Sequence, residues 1–398
     1  MTALTWLGNA VLPEPPKELL GPLGVPEKTL MAPGPSNASN RVRHALQHPL
    51  LGHLHPEMCQ LMDEVKAGIQ YAFQTKNRLT LAISASGHGG MEACLGNILE
   101  LGETVLIARC GLWGERAANM AIRIGAHVEF LDTKPGVAFT LEQLEAAVKR
   151  HRPAVVFVVH AESSTGMKQS LPGVGDIVHR YGGLLIVDTV ASIGGESFYA
   201  DAWGVDAVYT GSQKVLGAPP GITPVTFSPA AEKKIFERKT QVPVYYWDMT
   251  ILGDYWSCFG KSTRIYHHTI SATLIYGLRE ALAQLAEERL PNSWARHAAA
   301  AARLEKRLAA RGLEFFISNP ENRLRTIVSV KVPPGVDWKL VTQRAMKKYK
   351  VEIGGGLGPT VGKIFRIGLM GVNADTEHVD RVWEAFDDGL KYARTAKL

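Results

Sequence analysis

From about Asn77 onward, short and nearly continuous apolar runs alternate with glycine-containing turns and amphipathic stretches. Glu103 to Ala108, Ala154 to His160, Gly183 to Asp188, Asp206 to Thr210 and Thr223 to Ser228 are predicted as strands. Runs this apolar suit strands covered on both faces, as in a parallel sheet, where an open antiparallel sheet would alternate. Helices are predicted between them at Trp113 to Gly125, Leu141 to Arg150 and Gly173 to Tyr181. The alternation predicts an α/β fold with a mostly parallel central sheet covered by helices, and ligands in such sheets sit beyond the carboxyl ends of the strands.

After about Ile270 the texture changes. Long helices are expected at Ser271 to Glu288 and Asn292 to Gly312, then strands near Arg325 to Val332 and Ile364 to Leu369, and a closing helix from Thr376 to Arg394. Pro13, Pro15, Pro16 and Pro22 exclude a regular helix at the start of the chain. The expected division is therefore an extended arm over 1–22, a large domain over 23–282 and a smaller C-terminal α/β domain over 283–398, with substrate gripped in a cleft between the two domains.

Composition narrows the class. The 398 residues are 46% hydrophobic, with no apolar run long enough to span a bilayer, which predicts a soluble chain and no membrane partner. The net charge of +6 is scattered along helices such as Ala301 to Arg307 and interleaved with acids, so no directed stripe for nucleic acid is expected. Cys59, Cys94, Cys110 and Cys258 lack the spacing of a zinc or redox motif and are read as reduced intracellular thiols. No arginine precedes Arg41, while Glu14 and Glu18 do, against the pattern of a mitochondrial presequence. The final Ala396-Lys397-Leu398 is similar to a peroxisomal address, so a peroxisome is expected ahead of the cytoplasm.

Two residues carry the candidate chemistry. Asp188 ends one predicted strand, and Lys214 closes the run from Asp206 that forms the next. An acid and a lysine so placed can hold pyridoxal 5'-phosphate: the lysine amine attaches to the aldehyde and the carboxylate pairs with the pyridine nitrogen. Ser86, Gly87 and His88 precede a helix start at Met91, where backbone N–H groups can bind phosphate and glycine permits close approach. Arg366 lies in the apolar run Ile364 to Met370, and an arginine flanked by buried residues wants a planar anion such as a carboxylate. Trp113 fits a core aromatic equally well, and Ser163, beyond the predicted strand ending at His160, fits a turn cap. The adjacent His267 and His268 diverge on an extended chain and no carboxylate completes a metal set.

The stretches Pro33-Gly-Pro-Ser-Asn37, Ser84-Ala-Ser-Gly-His88, Val187-Asp-Thr-Val-Ala-Ser192, Gly211-Ser-Gln-Lys214, Tyr266-His-His-Thr269 and Gly354-Gly-Gly-Leu-Gly-Pro359 resemble, in order and wording, the alanine:glyoxylate and serine:pyruvate aminotransferases of the class V, fold-type I pyridoxal-phosphate enzymes. The resemblance runs from about Pro15 to the C-terminus. It implies transfer of the amino group of L-alanine or L-serine to glyoxylate by a ping-pong route. It also implies cofactor contacts from Ser86, Gly87, His88, Ser163 and Gln213, with Trp113 over the ring and Lys214 and Asp188 as catalytic residues. Arg366 becomes the substrate-carboxylate clamp, with Asn37 and Ser163 beside the substrate. The resemblance further implies a homodimer in which Tyr266 and Thr269 reach the partner's phosphate and the N-terminal arm lies across the other subunit.

Two features depart from the family pattern. Ala32 stands where the family has the first glycine of Gly-Pro-Gly-Pro, and its methyl group is expected to narrow the acceptor range. The extension before Pro13 is unmatched. Insect 3-hydroxykynurenine transaminases are similar too, so that substrate stays open as an alternative. A cysteine desulfurase lacks its active-site cysteine motif here, and decarboxylases of this fold often carry histidine where Gln213 stands. A nicotinamide dehydrogenase would need a strand-following Gly-x-Gly-x-x-Gly with a ribose acid, which is absent.

Overall fold

A computed structural model describes residues 13–261 and 263–395. Seven strands form the central sheet: β1 Leu79–Ile83, β2 Thr104–Arg109, β3 His127–Asp132, β4 Val155–Val159, β5 Leu184–Asp188, β6 Ala207–Tyr209 and β7 Thr223–Phe227. Their order is β1-β7-β6-β5-β4-β2-β3. Only β7 runs antiparallel to its neighbours. Every residue of β1, β4, β6 and β7 is buried, which is why such strands read as unbroken apolar runs.

The connecting helices include α1 Pro56–Phe73, α2 Gly87–Ile98, α3 Leu112–Ile124, α4 Leu141–His151 and α5 Val174–Arg180. Local chemistry fixes their ends. A reciprocal capping box between Thr140 and Gln143 starts α4. Gly125, at φ 88°, ends α3 in the left-handed conformation that glycine adopts without strain.

The run closed by Lys214 is shorter than the sequence suggests. Strand β6 stops at Tyr209, and beyond it the Ser212 hydroxyl bonds the Pro219 carbonyl at 2.6 Å within the following loop. Lys214 is thus on a loop beyond the strand's carboxyl end. The strand β3 is absent from the sequence reading for a physical reason: it is an edge strand whose side chains are mostly exposed, so it lacks the apolar signature.

Helices α6 Ala272–Glu288 and α7 Leu290–Ala310 lead into a second, antiparallel sheet. Its strands are β8 Ile327–Lys331, β9 Gly354–Gly355 and β10 Ile364–Gly368, in the order β8-β10-β9, and α8 Thr376–Thr395 closes the chain. The core here includes Leu304, Val330, Phe365, Ile367 and Phe386. Met31 joins it, and Thr29–Leu30 pairs in parallel with Val351–Glu352, so this early segment packs with the C-terminal elements. A small cluster containing Ala161, Ala191, Val215, Ile327 and Met370 bridges the two sheets beside the candidate site.

In the arm, residues 13–22 are exposed and hold a single helical turn, Lys17–Leu19. Residues 1–12 and the tripeptide Ala396-Lys397-Leu398 lie outside the described residues. Among the described residues no helix is long and apolar enough to cross a membrane.

Candidate active site

The carboxyl ends of the parallel strands deliver the candidate groups to one place. Ser86 and Gly87 follow β1, Trp113 follows β2, Ser163 follows β4, Asp188 ends β5, and Gln213 and Lys214 follow β6. All of them, with His88, line one cavity of about 140 Å³. Met91, Ala161, Val190, Ala191 and Tyr209 complete its wall. Strand order decides this convergence, since β4, β5 and β6 are adjacent in the sheet.

At one end of the cavity is the N-terminus of α2. Ser86 holds the N-cap position, yet its side chain makes no capping bond. The amides of Gly87 and His88 have no acceptor among the described residues. A helix start left open in this way, with its positive dipole end, suits an anion such as phosphate. Gly87 brings the backbone close: a Cβ there would lie 3.1 Å from the Val190 side chain.

Asp188 is almost fully buried at 3% exposure. Its Oδ1 accepts from the Val190 amide at 2.8 Å, and its Oδ2 accepts from the Tyr209 hydroxyl at 2.6 Å. Burial pushes the acid up to about 6, against these two bonds and the nearby Lys214 charge. A cation placed against this carboxylate would restore its ionisation.

Lys214 donates to the Pro33 carbonyl. Its amine is pushed down to about 8, first by burial and then by the positive Arg366, with Asp188 opposing. An amine in that range has a neutral, nucleophilic fraction near physiological pH. Ser36 anchors the lysine's backbone, its hydroxyl bonding the Lys214 carbonyl at 2.5 Å. Beside it, Gln213 Oε1 is buried and has no hydrogen-bond partner among the described residues.

Trp113 donates its indole N–H to the Ser163 hydroxyl at 2.7 Å, and both residues line the cavity, with Trp113 packed against the main core as well. The His88 ring meets Trp113 edge to face at 5.6 Å between centroids, and partial burial lowers the His88 pKa. Arg366 stands next to this wall on β10. Its Nη1 donates to the Ser163 carbonyl and its Nε to the Gly355 carbonyl, both at 2.7 Å. Burial pushes this guanidinium down to about 10, with Glu162 opposing, so it remains a cation near neutrality.

Four predicted residues are not among those lining the cavity: Arg366, which stands next to its wall, and Asn37, Tyr266 and Thr269. Asn37 is engaged elsewhere: its Oδ1 accepts from the Leu30 amide at 2.8 Å and from Asn373 at 2.9 Å, and its Nδ2 donates to the Lys28 carbonyl at 2.9 Å. An amide held from both ends acts as a structural tie. Tyr266 and Thr269 lie away from the cavity, with Tyr266 half exposed and its hydroxyl 3.4 Å from Thr269 Oγ1. Between them His268 bonds Ser84 at 2.7 Å, and His267 lies 3.3 Å from the Tyr245 carbonyl. Ala32 sits outside the wall too, with its carbonyl packed against Gly368.

Tyr209 and Glu162 escaped the sequence reading. Tyr209 faces Asp188 across the β5–β6 pairing, and its only signal is a polar tip inside the apolar run Ala207-Val-Tyr209. Glu162 is completely buried and accepts from the Trp113 amide at 3.3 Å and the Ser164 amide at 3.0 Å. Its signal is a charged residue three positions beyond a fully apolar strand.

Known proteins share this framework. The class-V aminotransferase model matches residues 38–382. An alanine–glyoxylate aminotransferase of Drosophila melanogaster is 51% identical over 381 residues, covering 96% of either chain. One from Rattus norvegicus is 47% identical over 400 residues, covering all of this chain and 96% of that one. The crystal structure of an alanine–glyoxylate aminotransferase from Nostoc sp. superposes with a TM-score of 0.90 at 44% identity, over 93% of this chain and 97% of that one. A family match spanning the whole cavity, joined to relatives alike from end to end, means that the chain belongs to the class-V aminotransferase family.

Proposed function

We propose that this protein is a pyridoxal 5'-phosphate-dependent transaminase that moves the amino group of L-alanine, or L-serine, to glyoxylate. The products are pyruvate (or hydroxypyruvate) and glycine. One observation carries the reading: the Lys214 amine and the Asp188 carboxylate face the same cavity, with an open helix N-terminus beside them.

The residues fit the cofactor. Gly87 and His88 amides would receive the phosphate, Asp188 the ring nitrogen, and Lys214 the aldehyde, with Trp113 and Ser163 forming the wall. The unpartnered Gln213 Oε1 marks a polar atom awaiting a ligand. When bound, the cofactor supplies an electron sink that acidifies the substrate's α-carbon.

The chain's own groups then act on the substrate. Arg366 holds the α-carboxylate, which orients the Cα–H bond and gives the substrate one fixed end. Lys214, once neutral, takes the proton from Cα as a general base and later returns one as a general acid. Pyruvate leaves before glyoxylate enters, and the same arginine grips both, since each carries a carboxylate. No acidic side chain needs recognition, which suits a site with a single arginine clamp.

The purified protein is expected to be yellow, to bleach with alanine and to recover colour with glyoxylate. Absence of that cycle in the wild type, or normal turnover by Lys214→Ala, would falsify the reading. Exclusive use of 3-hydroxykynurenine in a side-by-side donor assay would replace alanine by that substrate.

Assembly and location are part of the same proposal. Exposed Leu50, Tyr245, Ile265 and Tyr266 support a second copy covering this face, which would carry Tyr266 and Thr269 to the other subunit's phosphate. Light scattering that gives a monomer would remove that step. Delivery to peroxisomes through Ala396-Lys397-Leu398 is tested by a fluorescent fusion with and without the tripeptide.

A further inference from the structure

We propose that Tyr209 is a positioning residue of this site: its phenol holds the Asp188 carboxylate in the orientation that receives the cofactor's protonated ring nitrogen. The inference deepens the proposed function and rests on its reading of Asp188 as the partner of that nitrogen.

The placement follows from strand pairing. Asp188 and Tyr209 are the terminal residues of β5 and β6, and they are partners in the parallel register. Paired residues of neighbouring strands project to the same face of a sheet, so the two side chains meet at its carboxyl edge. Their contact is 2.6 Å, from the phenol to Oδ2.

A carboxylate buried this deeply needs donors to stay where it is. Asp188 has two from the described chain, the Val190 amide on Oδ1 and the Tyr209 hydroxyl on Oδ2. The first is a short-range backbone turn that any residue at 190 except proline would supply. The second depends on the side chain at 209. Burial, with Asp188 alongside, lifts the Tyr209 phenol well above its ordinary value, so the phenol keeps its proton and the bond has one direction.

The ring is fixed as firmly as the hydroxyl. Tyr209 is fully buried and packs against Gly90, where a Cβ would come within 3.0 Å of the tyrosine Cβ and 3.1 Å of its Cδ2. Gly90 belongs to the opening turn of α2, the helix whose N-terminus faces the cavity. One aromatic ring therefore ties the anion-binding end of the site to the carboxylate end. Phenylalanine at 209 would keep that packing and remove only the donor, leaving Oδ2 without its bond and the carboxylate free to rotate or take up a proton.

The test compares apo wild type with Tyr209→Phe, using two ligands: pyridoxal phosphate and its carbocyclic analogue with CH in place of the ring nitrogen. The wild type is expected to bind pyridoxal phosphate the more tightly. Tyr209→Phe should weaken pyridoxal phosphate about tenfold and leave the analogue unchanged. The ¹⁵N resonance of labelled, bound cofactor should also shift toward the unprotonated value in the variant. Equal loss for both ligands, or no loss for either, would overturn the proposal and leave Tyr209 a packing residue. A wild type that binds the two ligands equally overturns the Asp188 reading itself, and the Tyr209 proposal falls with it.

Discussion

Arg366 donates through Nη1 to the carbonyl of Ser163 at 2.7 Å, a bond between residues 203 positions apart that ties the second sheet to the turn after β4. With Nε on the Gly355 carbonyl, the guanidinium plane is fixed before any substrate arrives. Nη2 has no acceptor among the described residues. Thr360 reinforces the junction from the neighbouring loop, its hydroxyl bonding the Ser164 carbonyl at 3.2 Å. The guanidinium is thus aligned by backbone oxygens, and in the proposed role of carboxylate clamp its freedom is removed in the folded chain instead of during binding.

Arg366→Lys should therefore be far from conservative. A lysine cannot make both backbone bonds and present a planar fork, and its amine would be driven down further by the same burial. We expect kcat/KM for alanine to fall by roughly thirtyfold, about 2 kcal/mol, mostly through KM. Steady-state kinetics with a melting curve as control would decide. A variant with unchanged KM would dissociate Arg366 from the substrate.

Lys214 offers a pH test that precedes turnover. With its amine pushed down to about 8, about one molecule in eleven has the neutral form at pH 7, where an ordinary lysine would have about one in three thousand. The rate at which apo-protein attaches pyridoxal phosphate should rise with pH and level off above about 8. Arg366→Ala should move that midpoint upward, because the arginine's positive charge is one of the two causes of the depression. Rates still climbing at pH 10 in the wild type would contradict the lowered amine.

The parts of this molecule that the sequence discloses are those set by local pattern. Val155–Val159 is recognisable because burial on both faces demands an unbroken apolar run, and Asp188 is visible because it ends such a run. What remains hidden depends on long-range pairing. Asn37 carries the same amide whether it meets a substrate or Asn373, and only the fold brings position 373 beside it. Tyr209 becomes informative only once β6 is known to lie against β5 in a register that sets it opposite Asp188. Strand β3 and its ion pair between Arg109 and Asp132 carry an edge strand's polar pattern, which a loop shares.

Gly34 is a position where a methyl group should act directly on the lysine. Its φ of 102° is strained for any residue with a side chain, and a Cβ there would press on Lys214 Cδ and Nζ. Gly34→Ala is expected to destabilise the apo-protein by about 1 kcal/mol or more and to slow cofactor attachment about tenfold. Urea unfolding and the growth of the attached-cofactor absorbance measure the two effects separately. Loss of stability with unaltered attachment would mean that Lys214 moves aside freely.

Glu162 makes the stability of the fold depend on pH. It is completely buried between the Trp113 amide, the Ser164 amide and hydroxyl, and Gly111, with Arg366 as the nearby positive charge and Asp188 as a like one. Burial pushes its acid up to about 7 from 4.5. Between those values the folded chain keeps a proton that the unfolded chain has released, so raising the pH favours unfolding. The stabilisation is fully present below about pH 4.5 and is lost as pH rises through about 7, a change on the order of 3 kcal/mol. Asp188, raised from 3.8 to about 6, acts in the same sense in a lower window. Glu162→Gln cannot titrate, so its urea midpoint, taken relative to the wild type's at the same pH, should rise between pH 5 and pH 8. Parallel midpoint curves for the two apo-proteins would show that the Glu162 carboxyl is already ionised at pH 5, held so by Arg366 despite its burial.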